Sequence, residues 1–577
     1  MTLLIDQDGA TVTNGTTLED APAVRISGRD VRFANAAGGT LRSTAAGVAA
    51  LVIEGENAQI SNAAGGSIQA HGVDDLAILG SAFGDAVENS GAIVGRVSLG
   101  DGNDRFTMLG DGYVQGSSPA IDLGSGDDVY VHSANGALAT VVGGEGTDTL
   151  SLTHVNNILS GTNATGFERL TVANDPGRTY NLENFSGYQI VEVGAGGSYN
   201  FIYSVDPNAA VTVGAGANMI AGVGSTFASV TGSSSGETVE VSSATVTGNV
   251  SLGGGDDVFW YTWFEANQAA PIVHGTIDGG TGNDIFLLWI HSGHTVDLAN
   301  VTGFETLNGG TWAGDDSNVR VINASGFTSI MPDTTGGVLT LAQSNLSAAT
   351  LTFSYGGTAI LEATATIKQV GEYSAALALA TEGANWPGVT LVNGGTILGN
   401  VYLGTTNDTY DATSGGTVGG SGGVFGYAGN DVLKGGSGAD RFSGGYGADQ
   451  LFGNGGDDQL DGEAGNDFLS SGAGIDSLSG GTGDDVLYFG ASLGQSDAVS
   501  GGAGSDMLVL QGAYGSGMFF EQPTTLPAAQ FNGIETLRLL SGADTSFGDQ
   551  SGGTYNYAFA VTDAAVAAGA TLTVDFL

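Results

Sequence analysis

Along most of the chain, apolar and polar residues alternate in runs of a few residues, and each run is broken by glycine, asparagine or aspartate. Alternation at period two with turn residues between the runs predicts short β-strands. Near the N-terminus the pattern repeats. FANAAGGTLRS starts at Phe33, ISNAAGGSIQA at Ile60 and VENSGAIVGRV at Val87, a step of 27 residues, and Ile26 with Gly28 and Ile53 with Gly55 keep the same step. A repeat of that length predicts one coil of a parallel β-solenoid with three short strands per coil. Asn35, Asn62 and Asn89 would then stack as a side-chain ladder.

A finer repeat follows. GYAGNDVLK, GGSGADRFS, GGYGADQLF, GNGGDDQLD, GEAGNDFLS, SGAGIDSLS and GGTGDDVLY run without a gap from Gly426 to Tyr488. The sixth position is always aspartate (Asp431, Asp440, Asp449, Asp458, Asp467, Asp476, Asp485). The eighth is always apolar (Leu433, Phe442, Leu451, Leu460, Leu469, Leu478, Leu487). Small residues in the first six positions allow a sharp turn, and the last three place one apolar side chain inward. Two nonapeptides make one turn of a flattened spiral. Asp431, Asp449, Asp467 and Asp485 are expected on one edge, with Asp440, Asp458 and Asp476 on the other.

The longest repeat spans about 150 residues by the spacing of its opening motifs. GRVSLGDGNDRF (Gly95), GNVSLGGGDDVF (Gly248) and GNVYLGTTNDTY (Gly399) open related stretches. GFERL (Gly166), GFETL (Gly303) and GIETL (Gly533) close them. The expected organisation is a solenoid module of 27-residue coils over 1–175, a second module over 176–320 and the start of a third over 321–425. The nonapeptide segment then occupies 426–510, and a C-terminal β region 511–577, where TYNYAFAVTD and TLTVDFL read as a hairpin-like end. Related acidic turns outside the nonapeptides place Asp104, Asp128, Asp148, Asp257, Asp284, Asp408 and Asp506 as further metal candidates. An aspartate in a glycine turn also serves simply as a turn former.

Composition adds two points. Glycine reaches 101 residues against 9 prolines, which suits tight turns between strands, while a 41% hydrophobic fraction supplies a continuous core. The net charge is −47, from 60 acidic and 13 basic residues, so the chain should repel nucleic acid and anionic membranes. It needs counter-cations where carboxylates stack. Cysteine is absent, which excludes disulfides and thiolate metal sites. No window is apolar enough for a membrane span. The N-terminus lacks the basic and apolar regions of a Sec signal peptide.

Stacked aspartates set the chemistry. Neighbouring parallel strands lie about 4.8 Å apart, and two carboxylates at that distance repel by roughly 3 kcal/mol at an effective dielectric of about 20. A hard cation removes the conflict. Ca²⁺ takes carboxylate and carbonyl oxygens in flexible geometry, whereas Mg²⁺ is stricter and gives up water reluctantly.

On these nonapeptides the chain resembles the RTX (repeats-in-toxin) calcium-binding family. The resemblance implies an all-β fold, a parallel β-helix or β-solenoid with a calcium β-roll in its C-terminal third. The seven sixth-position aspartates and backbone carbonyls would be the ligands, for about five internal ions. Ser471 and Asn454 depart mildly from the glycine pattern. The resemblance also implies type I secretion from a Gram-negative cell and folding in extracellular calcium.

The expected function is that of a secreted structural or adhesive surface protein, such as a surface-layer, biofilm-matrix or filament subunit. Its partners would be calcium, other copies of itself or a cell-surface polysaccharide. The alternative is a polysaccharide-active β-helix enzyme, a lyase or epimerase, using carboxylates such as Asp74/Asp75 or Asp315/Asp316. No H-E-x-x-H occurs. GSSSG (Gly232) and GASLG (Gly490) match a nucleophile elbow only formally. His291, His294 and Asp297 form a weak cluster, and the aromatic run Phe259 to Phe264 reads as core.

Overall fold

The computed structural model describes residues 1–134, 136–154, 157–173, 180–185, 187–196, 199–202, 206–263, 270–290, 294–310, 318–333, 338–347, 349–353, 357–368, 377–381, 388–494, 496–512, 514, 531–547, 555, 571 and 573–576. Among these residues the only helical element is a 3₁₀ turn at Gly161–Asn163, and the rest of the regular structure is β-strand. The fold is a parallel β-solenoid, in two compact units, Met1–Ile285 and Phe286–Leu577.

In the first unit each early coil carries three strands, for example Val24–Ile26, Arg32–Asn35 and Thr40–Ser43, and each strand belongs to a different sheet. The coils stack in parallel register at the step of the sequence repeat, pairing Phe33 with Ile60 and Ile60 with Val87. Alternation sends Ile26, Phe33, Leu41, Ile53, Ile60 and Ile68 inward, all buried. The asparagine ladder is present inside the coil. Asn35 Nδ2 donates to Asn62 Oδ1 and Asn62 Nδ2 to Asn89 Oδ1, each at 2.8 Å, and Asn14 Nδ2 joins below at 2.9 Å.

In the second unit a third sheet of four strands ends at Thr417–Gly419. From Val424–Ala428 to Thr536–Leu539 the described strands alternate between two sheets, and in the nonapeptide segment coils of 18 residues have no length left for a third strand. Leu433, Leu451, Leu469 and Leu487 stack on one face, and Phe442, Leu460 and Leu478 on the other, all buried. Outside this core, Phe468 and Tyr488 stack on Phe547, while Gln511 holds the carbonyls of Ser541 and Asp544.

The expected hairpin-like end differs. Thr573–Phe576 pairs parallel with Thr536–Leu539, so it forms a further rung of the solenoid. Most of TYNYAFAVTD lies outside the described residues.

Candidate calcium sites

The sixth-position aspartates form continuous ladders, each rung tied to the next by one repeated hydrogen bond. The backbone N–H of Asp431 donates to Asp449 Oδ1 at 2.7 Å, Asp449 to Asp467 at 2.8 Å and Asp467 to Asp485 at 2.8 Å. On the other edge Asp440 donates to Asp458 at 2.8 Å and Asp458 to Asp476 at 3.0 Å. The two-edge division expected from the sequence is therefore the geometry of the fold.

The ladders reach past the nonapeptides. Asp408 N donates to Asp431 Oδ1 and Asp485 N to Asp506 Oδ1, so two of the apparently separate turns are rungs of the first edge. Asp476 N donates to Asp497 Oδ1, a rung hidden from the sequence because its coil is 21 residues long and its turn, SLGQSD, lacks the paired glycines of the nonapeptide turns. The first unit holds two more ladders. One runs Asp85, Asp104, Asp128, Asp148, and the other Glu237, Asp257, Asp284, all with the same bond at 2.6 to 2.8 Å. Two ladders end on the glutamate of a closing motif. Asp148 N donates to Glu168 Oε2 and Asp506 N to Glu535 Oε2, both at 2.9 Å. Asp85, Glu168, Glu237, Asp497 and Glu535 were not legible as rungs. The closing motifs, GFERL and GIETL, held the one available signal, a glutamate at a fixed place.

The second carboxylate oxygen carries the chemistry. Oδ2 of Asp104, Asp128, Asp148, Asp257, Asp408, Asp431, Asp449, Asp458, Asp467, Asp476, Asp485 and Asp506 is buried and accepts no hydrogen bond. At three ladder ends the same atom is satisfied within its own turn, by N–H groups of Ser81 on Asp85, Gly436 on Asp440 and Gly494 on Asp497. An uncompensated buried carboxylate oxygen is costly, and it is relieved by a proton or a cation.

Glycine creates the space around it. A Cβ built on Gly426 would lie 2.3 Å from both Asp431 Oδ2 and the Gly444 carbonyl oxygen of the next coil. Gly453, Gly462 and Gly480 show the same crowding. The first position of the nonapeptide is thus where carboxylate and carbonyl oxygens of adjacent coils converge. Ser471 takes that position where the following coil is longer, and it is fully buried. No group of three or more acidic or histidine side chains converges among the described residues. A cation between coils would draw on two carboxylates and backbone carbonyls, a donor set that suits Ca²⁺.

Burial, reinforced by carboxylates on neighbouring rungs, raises these acids. Asp104 and Asp431 are pushed up to about 8, Asp458 and Asp467 to about 7, and Asp148 and Asp506 to about 6. Burial alone raises Asp408 to about 6, and Asp257 reaches about 7 beside Glu237 and Asp284.

The remaining candidates lie apart from the ladders. Asp74 is exposed, and Asp75 is half-buried, with Oδ2 3.6 Å from His71 Nδ1 and Oδ1 accepting from Gly47 N. Asp315, Asp316, His291 and Phe264 lie outside the described residues. His294 starts the strand His294–Asp297, and Asp297 Oδ1 accepts from Asn323 Nδ2 and Ala299 N. GSSSG falls in a turn between Ser229–Thr231 and Thr238–Ser242, where Ser233 Oγ donates to Glu237. GASLG begins at the end of Val486–Gly490. Neither opens a helix. Phe259 is core, and Trp260 is half-buried.

The model of the RTX calcium-binding nonapeptide repeat matches residues 425–460 and 461–492. No curated protein matches the chain.

Proposed function

From a chain that carries RTX calcium-binding nonapeptide repeats over residues 425–492, we propose a secreted structural or adhesive protein of the cell surface. It would serve as a surface-layer, biofilm-matrix or filament subunit that folds and assembles on meeting extracellular calcium. The observation that supports this best is the file of buried carboxylate oxygens without hydrogen-bond partners along each ladder. Such a fold is poorly compensated without a cation and strongly favoured with one, since an ion that binds only the folded state stabilises it by mass action. Type I export would suit it, because the fold is least stable where calcium is scarce and is stabilised where calcium is plentiful.

The test is a calcium titration of the chelator-stripped chain, read by far-UV circular dichroism and electron microscopy of the same samples. Gain of β signal with sheets or filaments at millimolar calcium is expected. Complete β structure before calcium, with no metal retained, would overturn the calcium reading. Folding without assembly, together with turnover of an anionic polysaccharide, would move the assignment to the enzyme alternative.

A further inference from the structure

The carboxylate ladder of the first unit lies far outside residues 425–492, in coils that follow no nonapeptide period. Its rungs are 24 and 20 residues apart, from Asp104 to Asp128 and from Asp128 to Asp148, against 18 in the matched segment. We infer that residues 99–148 hold a calcium column of their own, one ion between the turns of Asp104 and Asp128 and a second between those of Asp128 and Asp148. The inference rests on the calcium reading above and extends it to a region that no repeat match covers.

Three observations carry it. Asp104, Asp128 and Asp148 are at most 1% exposed, and Oδ2 of each accepts no hydrogen bond. Each aspartate follows two glycines of positive φ, four and two residues earlier. These are Gly100 and Gly102, Gly124 and Gly126, and Gly144 and Gly146, as Gly445 and Gly447 precede Asp449. The coils also approach as closely as in the matched segment. A Cβ on Gly126 would meet the Gly102 carbonyl oxygen at 2.0 Å and one on Gly146 that of Gly126 at 1.9 Å, beside 1.8 Å for Gly447 over Gly429. The turn backbone of the matched repeat is therefore reproduced on coils of different length.

Both ends of the column are closed by the chain itself. Below, Asp85 Oδ2 already accepts from Ser81 N, and Ser81 stands where the other turns have their first glycine. Above, Glu168 replaces aspartate after the single glycine Gly166. The count is therefore two ions.

The test uses the full chain, stripped with chelator and compared with and without calcium, by hydrogen exchange of peptides covering 99–150 and 426–506 and by equilibrium dialysis. In the wild type, calcium should slow exchange roughly tenfold or more in both regions. Asp128→Asn keeps the acceptor for Asp104 N–H, should lower bound calcium by two ions and should restore fast exchange in 99–150 alone. Asp104→Asn should remove one ion, and it decides the matter if Asp128→Asn does not fold. Exchange in 99–150 indifferent to calcium, while 426–506 responds, would overturn the inference and leave the calcium reading standing. Indifference in both regions would sink both.

Discussion

A glycine at the first nonapeptide position is needed for space rather than for backbone freedom. At Gly453 a Cβ would stand 2.2 Å from Asp458 Oδ2 and 2.4 Å from the Ser471 carbonyl oxygen, in the very place where oxygens of two coils converge. Gly438 has open space around its Cβ position. Gly453→Ala is therefore predicted to weaken calcium binding by about tenfold or more at the adjacent site, about 1.4 kcal/mol, whereas Gly438→Ala leaves it within about twofold. Calorimetric titration of the two variants checks the contrast. The aspartates give a second test at this scale. Asp458 is raised to about 7 by burial, so Asp458→Asn removes a charge that the metal-free fold holds at a cost. Its melting temperature should rise in chelator and fall in calcium, and a shift of the same sign in both would contradict the role given to Asp458.

Strands and coils show what a repeat does at the next level. The asparagine ladder has no charge and needs no ion. Each rung satisfies the next, and Asn62 Nδ2 also reaches the Ala92 carbonyl oxygen at 3.2 Å. Asn62→Ala takes a hydrogen bond from buried groups of Asn35, Asn89 and Ala92, at about 1–3 kcal/mol for each group left unmade. Melting of the first unit, followed by hydrogen exchange in 30–95, should fall by the same amount with and without calcium. This ladder was legible in the sequence because three coils of equal length repeat the asparagine at a constant step. The nonapeptide edges were legible for the same reason. Asp497 and the rungs from Asp85 to Glu168 were not, because their coils differ in length and no constant step points from one rung to the next.

For the whole molecule the carboxylates act together, and the sign of the pH dependence follows. Several rungs lie between about 6 and about 8 in the metal-free fold, against about 3.9 for an unfolded aspartate. A carboxyl raised on folding binds its proton more tightly in the fold. Its contribution is full below about pH 4 and is lost as the pH rises through the raised values. Repulsion across a net charge of −47 works in the same direction. The stripped chain should therefore melt higher at pH 5 than at pH 8. Calcium competes for the same oxygens, so in excess calcium the order reverses. Thermal melts at both pH values, with chelator and with calcium, give the four numbers needed. A stripped chain more stable at pH 8 would refute the burial of these acids.

The all-β class, the 27- and 18-residue coils, the inward leucines and the two aspartate edges of 426–488 were all legible in the amino-acid sequence. Each depends on residues close together in the chain or repeated at one spacing, and alternation and turn chemistry record such local rules. Tertiary structure alone decided that Asp104, Asp128, Asp148, Asp408 and Asp506 are ladder rungs, that Asp497 extends the second edge and that Glu168 and Glu535 close two ladders. Unequal coils put those residues at irregular separations, and only the hydrogen-bonded register between neighbouring coils brings them into line.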